Sequence, residues 1–227
     1  MNTKLRKFQP EDYLKIREFL INTYKVTQKT SNWLIDRWNF VRHFSQVMYG
    51  TYETWPETVG IWEDSNGEII AVVCSEGENK GEAFFQLTTT DISDDLLQEL
   101  FDFAEDKLMV DIDGVSRLEL RIPGDAKNIE EHAKAREFRP MGWSETISMM
   151  EIQAPFEVKL PNWFEIIDGS LLKPEAQGIA HARAFGYMNT EIAAKSPECY
   201  RILRKAPDYN PDLDLAVVNP DGEIVSF

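Results

Sequence analysis

The chain has 227 residues, 43% of them hydrophobic, with 11 Pro and 12 Gly. That balance belongs to a globular protein and excludes collagen-like or low-complexity disordered chains. A formal charge of −15 repels phosphate backbones and excludes nucleic acid as a partner; it either favours cationic partners such as amines or simply keeps the protein soluble.

In chain order, Tyr13, Ile16, Phe19, Leu20 and Tyr24 recur at helical spacing over 11–24, which predicts an amphipathic helix. Residues 32–49 predict a second one, with Trp33, Leu34, Trp38, Val41 and Phe44 on its apolar side. Val59–Trp62 reads as a short strand, Asn66-Gly67 as a hairpin turn and Ile69–Val73 as the returning strand. Ala83–Leu87 is a further strand. Residues 94–108 form a helix with one stripe of Leu96, Leu97, Leu100, Phe101, Ala104 and Leu108, capped by Ser93. Leu118, Leu120 and Ile122 alternate with Glu119 and Arg121, as in a strand with two unlike faces. A charged helix is expected at about 125–137, a last strand over 146–152, and a linker between Pro155 and Pro161.

The pattern then restarts. Glu175–Phe185 predicts a helix, and Ser196-Pro197-Glu198 is expected to open another that runs to Arg204. Pro56 stands 11 residues before Gly67-Glu68-Ile69, and Pro211 stands 11 residues before Gly222-Glu223-Ile224, an offset of 155 (211 − 56). Two helical segments precede each hairpin, which favours an internal duplication over two unrelated turns. The expected organisation is a domain over 1–153, a linker over 154–161 and, over 162–227, the front half of a second copy. On that expectation the chain stops at Ile224–Phe227 inside a strand, leaving an open sheet edge for the missing segment or a second protomer of a homo-oligomer to cover.

Two cysteines (Cys74, Cys199) and three histidines (His43, His132, His181) are scattered without metal or disulfide spacing. The first residues lack the apolar core of a signal peptide. No apolar run approaches the roughly 20 residues of a membrane span. A cytoplasmic protein with no membrane partner and no metal is expected.

The order helix, helix, strand, hairpin, strand, helix, strand, helix, strand resembles the GNAT superfamily of N-acetyltransferases. Leu5–Asp12 with Ile16, Phe19 and Leu20 looks like that family's opening strand and first helix. Trp62–Ala71 looks like its second and third strands, and Ala135–Trp143 with Met149-Met150-Glu151 like its last helix and closing strands. Ala182–Tyr187 with Ser196–Tyr200 looks like the start of the second domain in tandem members. The resemblance implies an α+β fold of three-layer α/β/α type, with a mixed, mostly antiparallel sheet flanked by helices. It also implies transfer of an acetyl group from acetyl-CoA to a small-molecule or peptide amine. Backbone around Phe85, Gln86, Leu87 and Thr88 would hold the cofactor arm. A carboxylate would take the amine proton; Glu76 and Glu82 are candidates, with a solvated acidic loop as the alternative. Trp33 and Tyr187 are candidates for the acceptor side, or else packing residues.

The sequence departs from the family at the pyrophosphate loop. Thr88–Asp95 contains no Gly, Arg or Lys, and carries Asp91, Asp94 and Asp95. Backbone N–H groups then have no close approach to a phosphate, and each carboxylate adds a repulsion on the order of 1 kcal/mol. Phe138 stands near the position where the family often has a Tyr. The first domain is therefore expected to bind acetyl-CoA weakly or not at all, with activity residing in the second domain. The alternative is a non-catalytic scaffold or regulatory module that binds no acyl-CoA.

Overall fold

The computed structural model of the chain describes residues 3–155 and 157–227. They divide into two units, Met1–Arg42 with Thr51–Thr146, and His43–Gly50 with Ile147–Phe227.

The chain enters through strand β1 (Lys4–Lys7) and turns into helix α1 (Asp12–Thr27). Tyr13, Ile16 and Leu20 fall on one face at i, i+3 and i+7 and are buried. The turn is pinned by Asp12, which is 1% exposed: Arg6 Nη1 and Nη2 donate to its two oxygens at 2.5 and 3.0 Å, and the Gln9 N–H donates at 2.8 Å. The helix ends at Gln28, whose left-handed backbone (φ 54°) directs its N–H to the Tyr24 carbonyl. Helix α2 (Ile35–Phe40), a π-helical turn over Val41–Ser45 and helix α3 (Gln46–Tyr49) follow without a break; α3 groups with the second unit. A 3₁₀ turn at Trp55–Thr58 leads to β2 (Gly60–Glu63) and β3 (Ile69–Cys74). Next come β4 (Glu82–Leu87), α4 (Asp94–Lys107), β5 (Val110–Ile112), β6 (Val115–Arg117), β7 (Glu119–Arg121) and α5 (Lys127–Ala135).

The first unit is α+β. Its five-stranded sheet runs β1-β2-β3-β4-β7, antiparallel except that β4 and β7 are parallel. The pleat sends alternate residues into two separate cores. Ala71, Val73, Ala83, Phe85 and Leu87 face α4 and α5, where they meet Leu97, Leu100, Phe101 and Ile129. Ile61, Val72, Cys74 and Phe84 face α1 and α2, where they meet Ile16, Leu20, Trp33 and Trp38. Helices on both sheet faces make this unit three-layered. The Ser93 hydroxyl caps α4 by accepting from the Leu96 N–H at 3.4 Å. Asp94 and Asp95 sit in its first turn, where they complement the helix dipole.

The second unit has β8 (Glu165–Ile167), α6 (Pro174–Ala184), α7 (Glu191–Leu203), a 3₁₀ turn at Pro211–Leu213, β9 (Ala216–Val218) and β10 (Ile224–Ser226). Its antiparallel sheet runs β10-β9-β8 and covers a small core of Leu172, Ala180, Ala216 and Ile224. The strand–helix–helix–3₁₀–strand–turn–strand order is also that of the first unit from β1 to β3. The two hairpins share their turn bonds position by position. The Asp64 carboxylate accepts from the N–H of Asn66 (2.8 Å) and Glu68 (3.0 Å), and the Gly67 N–H donates to the Asp64 carbonyl (3.0 Å). The Asn219 side-chain oxygen accepts from the N–H of Asp221 (3.1 Å) and Glu223 (2.8 Å), and the Gly222 N–H donates to the Asn219 carbonyl (2.9 Å). Pro56 and Pro211 both lie in the first two positions of 3₁₀ turns.

Two expectations need correction. Residues 146–152 are not a strand: they are irregular, and Met149 is 88% exposed. Alternating apolar residues supply a face, but a strand also needs a backbone partner, and none is placed beside this segment among the described residues. Helix α7 opens at Glu191, capped by the Thr190 hydroxyl at 3.3 Å from the Ala193 N–H, with Pro197 inside it rather than at its start. The β5–β6 hairpin was not foreseen; Asp113 (φ 54°) and Gly114 (φ 79°) form its tight turn. The expected linker, Pro155–Pro161, includes Phe156, which lies outside the described residues; its neighbours carry no helix or strand. No helix among the described residues is long and apolar enough to cross a membrane.

Pro197 also fixes the helix contact of the second unit. A Cβ on Gly178 of α6 would stand 2.6 Å from the Pro197 nitrogen and 2.7 Å from its Cδ. Both atoms are held by a ring in a helix and cannot swing aside. Gly178→Val is therefore expected to destabilise the second unit by about 1–3 kcal/mol, read as a lower urea midpoint for loss of the α6–α7 signal.

Candidate functional site

The densest chemistry among the described residues of the first unit surrounds Phe84 in the middle of β4. Strand β3 ends at Cys74 and delivers Glu76 from the loop beyond it, and β4 begins with Glu82. Helix α2 contributes Arg37 and β7 contributes Arg121. The Arg37 guanidinium clasps Glu76 with two bonds of 2.8 and 2.9 Å and reaches Glu145 at 3.2 Å. It lies 4.8 Å from the centre of the Phe84 ring and 5.4 Å from that of Trp33. Arg121 stands 5.9 Å from Phe84 and 4.1 Å from Trp143. Two cations thus rest on aromatic faces, each with carboxylates nearby.

Glu82 is the unusual member. It is 3% exposed, and its closest cation is Arg121 Nη2 at 3.9 Å from Oε2. Its Oε1 is buried without a hydrogen-bond partner among the described residues. Burial first, and then the negative charge of Glu76, push this carboxyl above its ordinary range, while Arg121 and hydrogen bonds from Asn79 oppose them. Arg121 Nε and Trp33 Nε1 are likewise buried and unpartnered. Trp33 and Arg121, both beside the Phe84 ring, thus each carry an unpartnered donor, and Glu82, beside Arg121, carries an unpartnered acceptor. Sites that move protons are built from groups displaced in this way.

The structure brings Glu76, Glu82 and Trp33 together. Trp33 is buried with its ring centre 4.8 Å from that of Phe84. The indole N–H groups of Trp38, Trp55 and Trp62 are satisfied, by the Tyr13 carbonyl (3.0 Å), the Ser75 carbonyl (2.8 Å) and Glu99 (2.8 Å). That of Trp33 is not, which sets it apart from the structural tryptophans. Tyr187 belongs to the second unit, 5.5 Å from the His181 ring, which stacks on Phe185 at 4.6 Å. Nothing in the local sequence marked Arg37, Arg121, Phe84 or Trp143 as neighbours. The one usable sign was the alternation that set Glu119 and Arg121 on a different face from Leu118 and Leu120.

Phe85, Gln86, Leu87 and Thr88 lie at the other end of β4. The β4–β7 ladder covers only Glu82–Phe84, matched with Glu119–Arg121. Strand β7 ends at Arg121, so past Phe84 the outer edge of β4 has no strand beside it, and Phe85, Leu87 and Thr88 line a cleft of about 200 Å³. Gln86 points into the sheet's other face, where its Oε1 accepts from the Trp33 backbone N–H at 2.7 Å. Beyond the cleft, Thr88–Asp95 carries its three aspartates toward the start of α4. Lys29 at the rim is paired with Asp125 at 2.7 Å. Among the described residues no group of His, Cys, Asp or Glu is arranged to hold a metal ion.

Comparison with protein-family models finds no match, and comparison with curated proteins finds none. The chemistry of this chain rests on its own geometry. Cys74 adds nothing reactive: it is fully buried, and burial pushes its thiol pKa up.

Glu82 yields a pH test. A folded-state pKa above the ordinary 4.5 means that the folded chain keeps a proton the unfolded chain has already lost. Stability then falls as pH rises through the window above 4.5. Glu82→Gln is expected to flatten that fall and to melt about 2–4 °C higher than the parent near pH 8. Thermal melts at about pH 5 and about pH 8 read this out; equal slopes in the two proteins would show that Glu82 ionises at no cost.

Proposed function

We propose that the protein is an N-acyltransferase of GNAT type, built from two copies of one architecture, that moves an acetyl group from acetyl-CoA to a primary amine. The observation that carries this reading is the parallel β4–β7 pair, joined over Glu82–Phe84 and unpaired beyond it. Such an opening in a sheet gives a thioester arm backbone groups to bind, and it places the reacting carbon at the fork. Glu82 stands at the paired end of the fork. A buried carboxyl raised above its ordinary range is suited to take the proton an ammonium must lose before attack. The shared element order and the matched Asp64 and Asn219 turns support duplication. In this reading the thioester arm lies along the free edge of β4 in the first copy, and the acidic, glycine-free loop after β4 leaves the pyrophosphate end without a backbone cradle.

A second reading, a non-catalytic scaffold or regulatory module, is favoured by that same acidic loop. Thiol release from acetyl-CoA, measured against a panel of primary amines that includes polyamines, separates the two. The transferase reading expects release with at least one amine, a loss of about 10²-fold or more in Glu82→Gln, and little change in Asp91→Asn. No release with any amine, together with no acetyl-CoA binding by calorimetry, would leave the scaffold reading standing.

A further inference from the structure

Beyond Phe84 the free edge of β4 needs partners that β7 does not supply. At Leu87 a side chain supplies them. Asn32 Nδ2 donates to the Leu87 carbonyl at 2.8 Å, and the Leu87 N–H donates to Asn32 Oδ1 at 2.8 Å. One primary amide therefore makes both bonds that a neighbouring strand would make to this residue. A primary amide suits this role because it carries a donor and an acceptor side by side on one planar group. The next residue reinforces the arrangement through the Trp33 backbone N–H bond to Gln86 Oε1. Asn32 and Leu87 both line the cleft of about 200 Å³, with Thr23, Thr27, Lys29 and Thr88.

We infer that Asn32 is a latch on the β4 edge, and that it decides whether this cleft admits a ligand bearing secondary amides. The inference rests on the reading of the β4–β7 fork as a thioester slot. A ligand amide offers Leu87 the same donor and acceptor that Asn32 already provides. It can bind there only by displacing two formed bonds, so the exchange brings no gain. With Asn32 in place the slot is closed by its own loop. With Asn32 removed, two backbone groups of β4 lack partners and recover them from the ligand.

Pantetheine is the probe, because it carries two secondary amides and no phosphate, and is therefore blind to Asp91, Asp94 and Asp95. Asn32→Ala is expected to bind pantetheine about tenfold or more tightly than the parent. Asn32→Ser, whose hydroxyl is too short to span both Leu87 groups, should do the same. In both variants hydrogen exchange at the Leu87 amide should accelerate, and pantetheine should slow it again. In the parent, saturating pantetheine should shift the Asn32 side-chain amide resonances as the latch leaves Leu87. Equal affinity in the parent and the folded variants would overturn the inference. So would parent binding that leaves the Asn32 resonances unmoved, a readout that stands even if both variants fail to fold. A gain of pantetheine binding without thiol release to any amine would uphold the latch and sink the transferase reading. Thiol release with no change in pantetheine binding would do the reverse.

Discussion

Strand β4 is buried on both faces, yet its parallel neighbour covers only half of its outer edge. Backbone N–H and C=O groups in such a place must find partners, because leaving them dry and unpaired costs as much as a lost hydrogen bond. Strand β3 pairs with one edge over Phe84–Leu87. On the other edge β7 serves Glu82–Phe84, and Asn32 serves Leu87. The loop between α1 and α2 is held where it is by this need. Trp33 follows Asn32 into the core, and Arg37 lies one helical turn further on. The fork, the cleft and the acid–arginine cluster thus descend from one unfinished ladder.

The cluster around Phe84 is a balance of costs. Glu82 enters the core because it opens β4, and strand alternation puts it on the same face as Phe84 and Gln86. Burying that carboxyl is unfavourable, and Arg121 at 3.9 Å compensates only in part, since Oε1 remains unpaired. Glu76 is better served by the two-bond grip of Arg37. Two carboxylates in similar surroundings are thereby treated differently. One is neutralised by a matched cation, and the other is held above its ordinary range. In the transferase reading we propose, that asymmetry is what leaves Glu82 to take a proton.

The two hairpins show how little sequence a turn needs. Asp64 and Asn219 differ in charge, yet each offers one side-chain oxygen to the N–H groups two and four residues on. The units differ more in their cores. The first packs two layers against a five-stranded sheet, while the second packs three strands against α6, which meets α7 closely at Gly178 and Pro197. The duplication we propose would thus keep turn chemistry and element order while the packing diverged.

Local pattern by itself determined much of the first unit. The apolar stripe and Ser93 fixed α4, Asn66-Gly67 fixed the β2–β3 turn, and the spacing from Pro56 and Pro211 showed the matched hairpins. Each of these depends on residues within a few positions of one another. Residues 146–152 had the alternation of a strand and did not become one, because a strand is completed by a distant backbone. Glu76, Glu82 and Trp33 were visible as candidates, but their grouping was not. Arg37 meets Glu76 across 39 positions, and Asn32 meets Leu87 across 55. No local rule encodes such distances. They exist because a parallel partner for β4 has to return from beyond α4, and only the folded sheet decides which backbone groups that return leaves uncovered.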